Sequence, residues 1–288
     1  MNELKETVSS EDWTKIIESK SGLLSLNFRE LWRYRDLCYM FVRRDLVVQY
    51  KQTILGPLWY IIQPLMTTLI FTVIFGRIAK IGTDGIPQVL FYLSGITCWG
   101  YFSTCLTATS TTFLDNQGVF GKVFFPRMTV PISIVISNLI KFGIQFVLFM
   151  AFWFYFFFSG ANIAFQIEIF ILPVLVLMMA GLGLGFGMLF SSLTTKYCDL
   201  KFLLQFGVQL WMYATPIIYP LSIISPKHQW ILALNPMTGI IESFKYIFIG
   251  QGTFNWWYLL YSFCFMLVLL FVSTIVFNKA EKNFIDTV

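Results

Sequence analysis

The run IFILPVLVLMMAGLGLGFGMLFSS, residues 169–192, decides the fold class. It carries no Asp, Glu, Lys, Arg or His. As a helix it is long enough to cross a hydrocarbon core of ~30 Å. Five more stretches of this kind occupy 57–76, 88–112, 129–158, 202–219 and 256–277. Together the six contain one strongly ionisable side chain, Lys141. Only 12% of the 288 residues are charged, against about a quarter in soluble domains. The fold class is therefore an all-α integral membrane protein with six transmembrane helices. There is no room left for a soluble catalytic domain.

The connections set the orientation. With a cytoplasmic N-terminus, the inner side holds nine Lys/Arg before residue 57, plus Lys122, Arg127, Lys196, Lys201, Lys279 and Lys282. The outer side holds Arg77, Lys80, Lys227 and Lys245. Such a bias places both termini in the cytoplasm. The first 25 residues are charged and lack an apolar core, so no cleavable signal peptide is expected. The five cysteines (38, 98, 105, 198 and 264) form no CxxC pair and read as free thiols.

The expected layout is a cytoplasmic segment 1–27, an interfacial helix 28–52, a spanning domain 53–279 and a tail 280–288. On a helical wheel Phe28, Leu31, Trp32, Cys38, Phe41, Val42 and Leu46 share one side. Arg29, Arg33, Asp36, Arg43 and Arg44 share the other, with Arg35 and Asp45 breaking the pattern. This is an amphipathic helix lying in the membrane surface, either an anchor or a gating element. Residues 113–128, FLDNQGVFGKVFFPRM, suggest a short projecting helix. As an inert loop they would leave Phe120, Phe124 and Phe125 exposed without reason, so a docked partner is expected there. The apolar run 237–249, set among Pro226, Pro236 and Gly250, is too short to span and suggests a re-entrant helical hairpin at about 236–250.

Polar side chains in spans cost free energy, so their spacing is informative. Tyr60, Gln63 and Thr67 share one helix face, as do Asn138, Lys141 and Gln145, and Gln205, Gln209 and Met212. These stripes fit either interhelical hydrogen bonds or a hydrated path. Lys141 needs an interior, a carbonyl partner or a phosphate-bearing cargo. Gly181/Gly185 and Gly183/Gly187 are small-xxx-small pairs, a helix-packing device, and the hydroxyl-rich span 88–112 also reads as packing. Trp59, Tyr60, Trp211 and Tyr213 stand near the polar stripes, where flat rings would suit sugars.

Motor and enzyme signals are missing. Gly121-Lys122 is followed by Val123, and Asn116 stands where a Walker A loop needs its first glycine, so ATP binding by that motif is excluded. One histidine, His228, supports no triad or metal site. Spans without carboxylates or histidine offer no proton relay. If cargo moves, its energy comes from a partner.

The segment YKQTILGPLWYIIQPL (50–65) resembles the first span of ABC-type polysaccharide export permeases, the type-2 exporter class. The likeness continues in IFGRI (74–78), LSGITCWGYFS (93–103), NQGVFGKVFFPRMTVPIS (116–133), KYCDLKFLLQF (196–206), TPIIYP (215–220) and LNPMTGIIESFK (234–245). Cys198 before Asp199 departs from the family's Arg-Asp, with Lys196 as the nearby charge, and Lys141 departs as well. The resemblance implies a homodimer in the bacterial cytoplasmic membrane, docked to two nucleotide-binding subunits that hold ATP and magnesium. Residues 113–128 would be the coupling helix, through Asn116, Phe120, Lys122, Phe124, Phe125 and Arg127. Residues 28–52 would be the gate helix. Trp59, Tyr60, Gln63, Thr67, Gln205, Gln209, Trp211, Tyr213 and Lys141 would line the path. Arg43, Arg44 and Lys51 would stand at its cytoplasmic entrance. The cargo would be a lipid-linked polysaccharide such as an O-antigen on undecaprenyl pyrophosphate, with capsule, teichoic acid or a small lipid or drug as alternatives. A membrane-embedded glycan-modifying enzyme and an envelope assembly protein are readings from other classes. Membrane lipids are expected partners and nucleic acid is not.

Overall fold

The computed structural model describes residues 32–51, 54–120, 125–161, 163–250, 252 and 254–285. In chain order its helices are α1 (Arg35–Lys51), α2 (Trp59–Phe71, continued as a wider helix over Thr72–Ile78), α3 (Gln88–Ser110) and α4 (Thr129–Phe158). Then follow α5 (Leu172–Thr194), α6 (Leu200–Tyr213), α7 (Pro226–Ala233), α8 (Pro236–Ile249) and α9 (Trp256–Ile285). No strand occurs among the described residues. Five helical stretches there are long and apolar enough to cross a bilayer: 56–78, 88–110, 129–158, 167–194 and 256–281.

Helix α3 lies at the centre. Most of its residues are buried, whereas most of α2 lies on the surface of the single chain. Its neighbour α5 explains how helices come so close. A Cβ on Gly183 or Gly187 would lie 2.6 Å from Cβ of Cys105 or 2.5 Å from Cβ of Thr109, both on α3. A Cβ on Gly181 or Gly185 would instead meet Met266 or Leu269 of α9, at 2.5 and 2.8 Å. The alternating glycines thus serve two faces, and α5 is wedged between α3 and α9 as small-residue packing requires. Thr194 Oγ1 donates to the Ser110 carbonyl at 2.7 Å and ties the ends of α5 and α3 together. Most α3 hydroxyls, such as Thr97 and Thr104, donate to carbonyls of their own helix, which satisfies them without a ligand.

Three expectations change. The apolar stretch 202–219 is helical only to Tyr213, about 21 Å of rise. Pro216 disfavours the helical conformation at Thr215, and the chain turns there. Residues 113–128 do not project as one helix. Two single turns, Thr112–Asp115 and Gln117–Phe120, fold back onto the bundle, followed after the undescribed residues 121–124 by a turn into α4. Phe113, Phe120 and Phe125 are buried with Phe41, Met188 and Phe277, so aromatic burial inside the chain replaces the expected exposure. Finally, residues 236–249 form a single helix, so a hairpin there takes a second helix as its other arm. Asn235 Oδ1 accepts from the Met237 amide at 3.1 Å to start it, and Gly250 ends it with φ +75°. Its preceding partner is α7. Nearly every α8 side chain is buried, against α3, α5 and α9.

Candidate functional site

A cleft of about 250 Å³ opens where α1 meets α3 and α4. Helix α1 contributes Arg44, Asp45 and Val48, α3 contributes Ala108, and α4 contributes Ile134, Ser137, Asn138 and Lys141. The cause is the register of α1. Phe41 and Val42 are buried, which turns Asp45, one turn on, toward α4. Trp32 is exposed on the single chain, while Phe28 and Leu31 lie outside the described residues.

Two cations and one acid meet in this cleft. Arg44 Nε and Nη2 donate to Asp45 Oδ1 at 3.0 and 2.9 Å, and the guanidinium lies 4.9 Å from the Phe41 ring centre. Lys141 Nζ lies 5.6 Å from the ring centre of Tyr60 on α2. Among the described residues no carboxylate comes within 4 Å of it. Asn138 is buried, and its Oδ1 has no hydrogen-bond partner. A half-neutralised arginine and a lysine held by a ring can together hold a phosphate group, while the open Asn138 Oδ1, an acceptor, suits a hydroxyl donor beside it. Arg43 and Lys51 are exposed on α1 and do not line the cleft.

The expected path residues separate into three groups. Trp59, Gln63, Gln205, Gln209 and Tyr213 lie on the outer surface of the single chain. Tyr60 and Thr67 are half-buried, and the Thr67 hydroxyl donates to the Gln63 carbonyl at 3.0 Å. Trp211 points inward. Its half-buried ring lies 5.9, 5.3 and 5.3 Å from those of Trp99, Phe102 and Phe186, which packs it into the α3–α5–α6 contact. Uncovered glutamines on apolar helices are costly against lipid chains. A second protein surface or water must face them.

The expected coupling residues form an internal joint. Phe120 lies 5.7 Å from Phe125, which lies 5.7 Å from Phe41 of α1. Phe113 stacks on Phe277 of α9 at 4.6 Å. Arg127 Nη1 donates to the Glu281 carbonyl at 3.2 Å, and its guanidinium lies 5.2 Å from the Phe120 ring centre. Burial pushes the Arg127 guanidinium below its usual range, and the Glu281 carboxylate pulls it back up. Asn116 Nδ2 donates to the Thr112 carbonyl at 3.0 Å between the two turns. Lys122 and Phe124 lie outside the described residues.

Two features escaped the sequence reading. Asp45, taken as a break in the amphipathic pattern, is the acid of the cleft. Lys245, counted with the outer-side charges, is fully buried beside Glu242 in α8. The available signal was their i, i+3 spacing within an apolar run.

Membrane-length helices and glycine-mediated contacts between them define a multi-pass membrane domain. The chain belongs to the ABC-2 type transporter family, whose profile matches residues 36–249. It is similar to the O-antigen export system permease protein RfbA of Klebsiella pneumoniae, with 28% identity over 252 residues, 87% of this chain and 94% of that protein. The Myxococcus xanthus protein of the same name is 27% identical over 262 residues, 90% of this chain and 98% of its own length.

Proposed function

We propose that this chain is the membrane-spanning permease subunit of an ATP-driven exporter of lipid-linked polysaccharide, of the O-antigen kind. Two copies pair in the bacterial cytoplasmic membrane with both termini inside. Each docks a separate nucleotide-binding subunit that binds magnesium and ATP. Helix α6 and residues 214–220 make the sixth crossing, and α7–α8 is the outer re-entrant hairpin. One observation carries the reading: polar faces stay uncovered on α2 and α6 in a chain related almost end to end to O-antigen export permeases.

Mechanically, Arg44 and Lys141 hold the phosphate of the lipid carrier at the cleft, with Arg43 and Lys51 drawing it to the membrane surface. Closure of the nucleotide-binding subunits pushes on residues 113–128. Because Phe120 and Phe125 pack on Phe41, α1 moves with that segment, and the cleft between α1 and α4 widens. The glycan then follows between the two copies, past Gln63, Gln205 and Gln209, with Trp59 and Tyr213 offering flat faces to the sugar rings.

The chain, purified gently from its native membrane, is expected in a complex of two copies with two nucleotide-binding subunits. A monomer that retains no ATPase contradicts the proposal.

A further inference from the structure

At the end of the bundle away from the cleft, one buried ion pair joins three elements. Lys245 is 1% exposed, and Glu242, one turn earlier on α8, is 3% exposed. Lys245 Nζ lies 3.4 Å from Glu242 Oε1. It also donates to the Pro216 carbonyl at 2.6 Å and lies 3.8 Å from the ring centre of Phe91 on α3. A buried ion pair is weak support for stability, since an apolar pair of the same volume often packs as well. What it does supply is a directed bond to one carbonyl, and that carbonyl stands where α6 ends.

The same point is held twice more. Thr215 Oγ1 donates to the Trp211 carbonyl at 2.8 Å and accepts from Asn235 Nδ2 at 2.8 Å. Ile217 sits so close to α3 that a Cβ on Gly95 would come within 2.9 Å of its Cγ2. Meanwhile Gln205 and Gln209, earlier on α6, stay uncovered. One end of this helix is therefore pinned while its polar face is open.

We propose that Lys245 is a positioning residue for the transport path: by holding the Pro216 carbonyl it makes the end of α6 and the α7–α8 hairpin move as one body. Helix α6 then turns together with α7–α8, and its glutamine face turns with them. The part played in export rests on the reading of α6 as a path helix; the lock itself does not.

The test uses the full chain with its nucleotide-binding subunits in lipid nanodiscs. Spin labels go at positions 210 and 230, both exposed, on a background with Cys38, Cys198 and Cys264 changed to Ser. The parent should give one narrow distance distribution with and without ATP. In Glu242→Gln/Lys245→Met, which leaves no lone buried charge, the distribution should broaden at least twofold. In that variant glycan export should fall at least tenfold while ATP hydrolysis continues, and Lys245→Arg should restore the narrow distribution. If the double variant does not assemble, Glu242→Gln/Lys245→Gln, whose amide is too short for Pro216, takes its place. A narrow distribution in the double variant overturns the lock, and a broad one with full export overturns the positioning role. Absence of export from the parent overturns the proposed function instead, and the distances still decide the lock.

Discussion

Alanine at Gly187 should be more costly than alanine at Gly181, although both lie on one helix six residues apart. A Cβ at 187 would lie 2.5 Å from Thr109 Cβ and 3.1 Å from the Leu106 carbonyl oxygen. Carbon atoms in contact sit about 3.5–4.0 Å apart, so α5 and α3 must separate by about 1 Å. Neither obstacle can swing away, because one is a Cβ and the other is backbone. Overpacking of this kind costs about 1–3 kcal/mol. Relief of the glycine penalty within a helix offsets about 1 kcal/mol. The loss should therefore be near 1 kcal/mol for Gly187→Ala and about 2 kcal/mol for Gly183→Ala/Gly187→Ala. At Gly181 the nearest atoms are Sδ and Cγ of Met266, at 2.5 and 2.8 Å. That flexible side chain can move aside, so the two terms should cancel to within ~0.5 kcal/mol. Thermal unfolding of the detergent-solubilised protein measures all three. Equal losses at 181 and 187, or no loss at either, would refute the account of how α5 is wedged.

Other consequences concern the path, the cleft and the joint. Trp211→Ala should cost about 3 kcal/mol in unfolding experiments, since it opens a void beside Trp99, Phe102 and Phe186. Tyr213→Ala, at an exposed position, should change stability by less than ~0.5 kcal/mol yet slow export; the reverse order would put Trp211 in the path. Lys141→Met should raise the lipid-linked substrate concentration that half-saturates stimulated ATP hydrolysis by about tenfold, the loss of one charge-assisted contact of ~1.4 kcal/mol. An unchanged midpoint would remove Lys141 from the cleft's function. Arg127→Ala should loosen the joint to α9 by about 1–2 kcal/mol and lower glycan exported per ATP hydrolysed; an unaltered ratio would show that the joint transmits nothing.

Much of the architecture was legible because a bilayer demands long uncharged runs, and 169–192 meets that demand without ambiguity. The paired glycines were legible too, since their spacing alone places Gly183 and Gly187 on one face and Gly181 and Gly185 on another. Periodicity shows which face of a helix is apolar but not what covers it. Trp211 and Tyr213 therefore read alike, although one is half-buried against Trp99, Phe102 and Phe186 and the other is exposed. For the same reason the sequence could not show that Phe125 packs on Phe41 and Phe113 on Phe277, both far away in the chain. The truncation of α6 was written in Thr215-Pro216, but continuous hydrophobicity through 219 masked it. Lys245 was the hardest to place. A lysine in a short outer segment reads as solvated, and only the folded chain brings the Pro216 carbonyl and the Phe91 ring to it.

The central claim is that this chain supplies the path and a separate subunit the motor. The direct measurement is glycan translocation in proteoliposomes loaded with lipid-linked polysaccharide, with the chain alone, the nucleotide-binding subunit alone, and both together. The account predicts ATP-dependent appearance of glycan on the far side only when both are present. Translocation by the chain alone, or none with both and ATP, contradicts it.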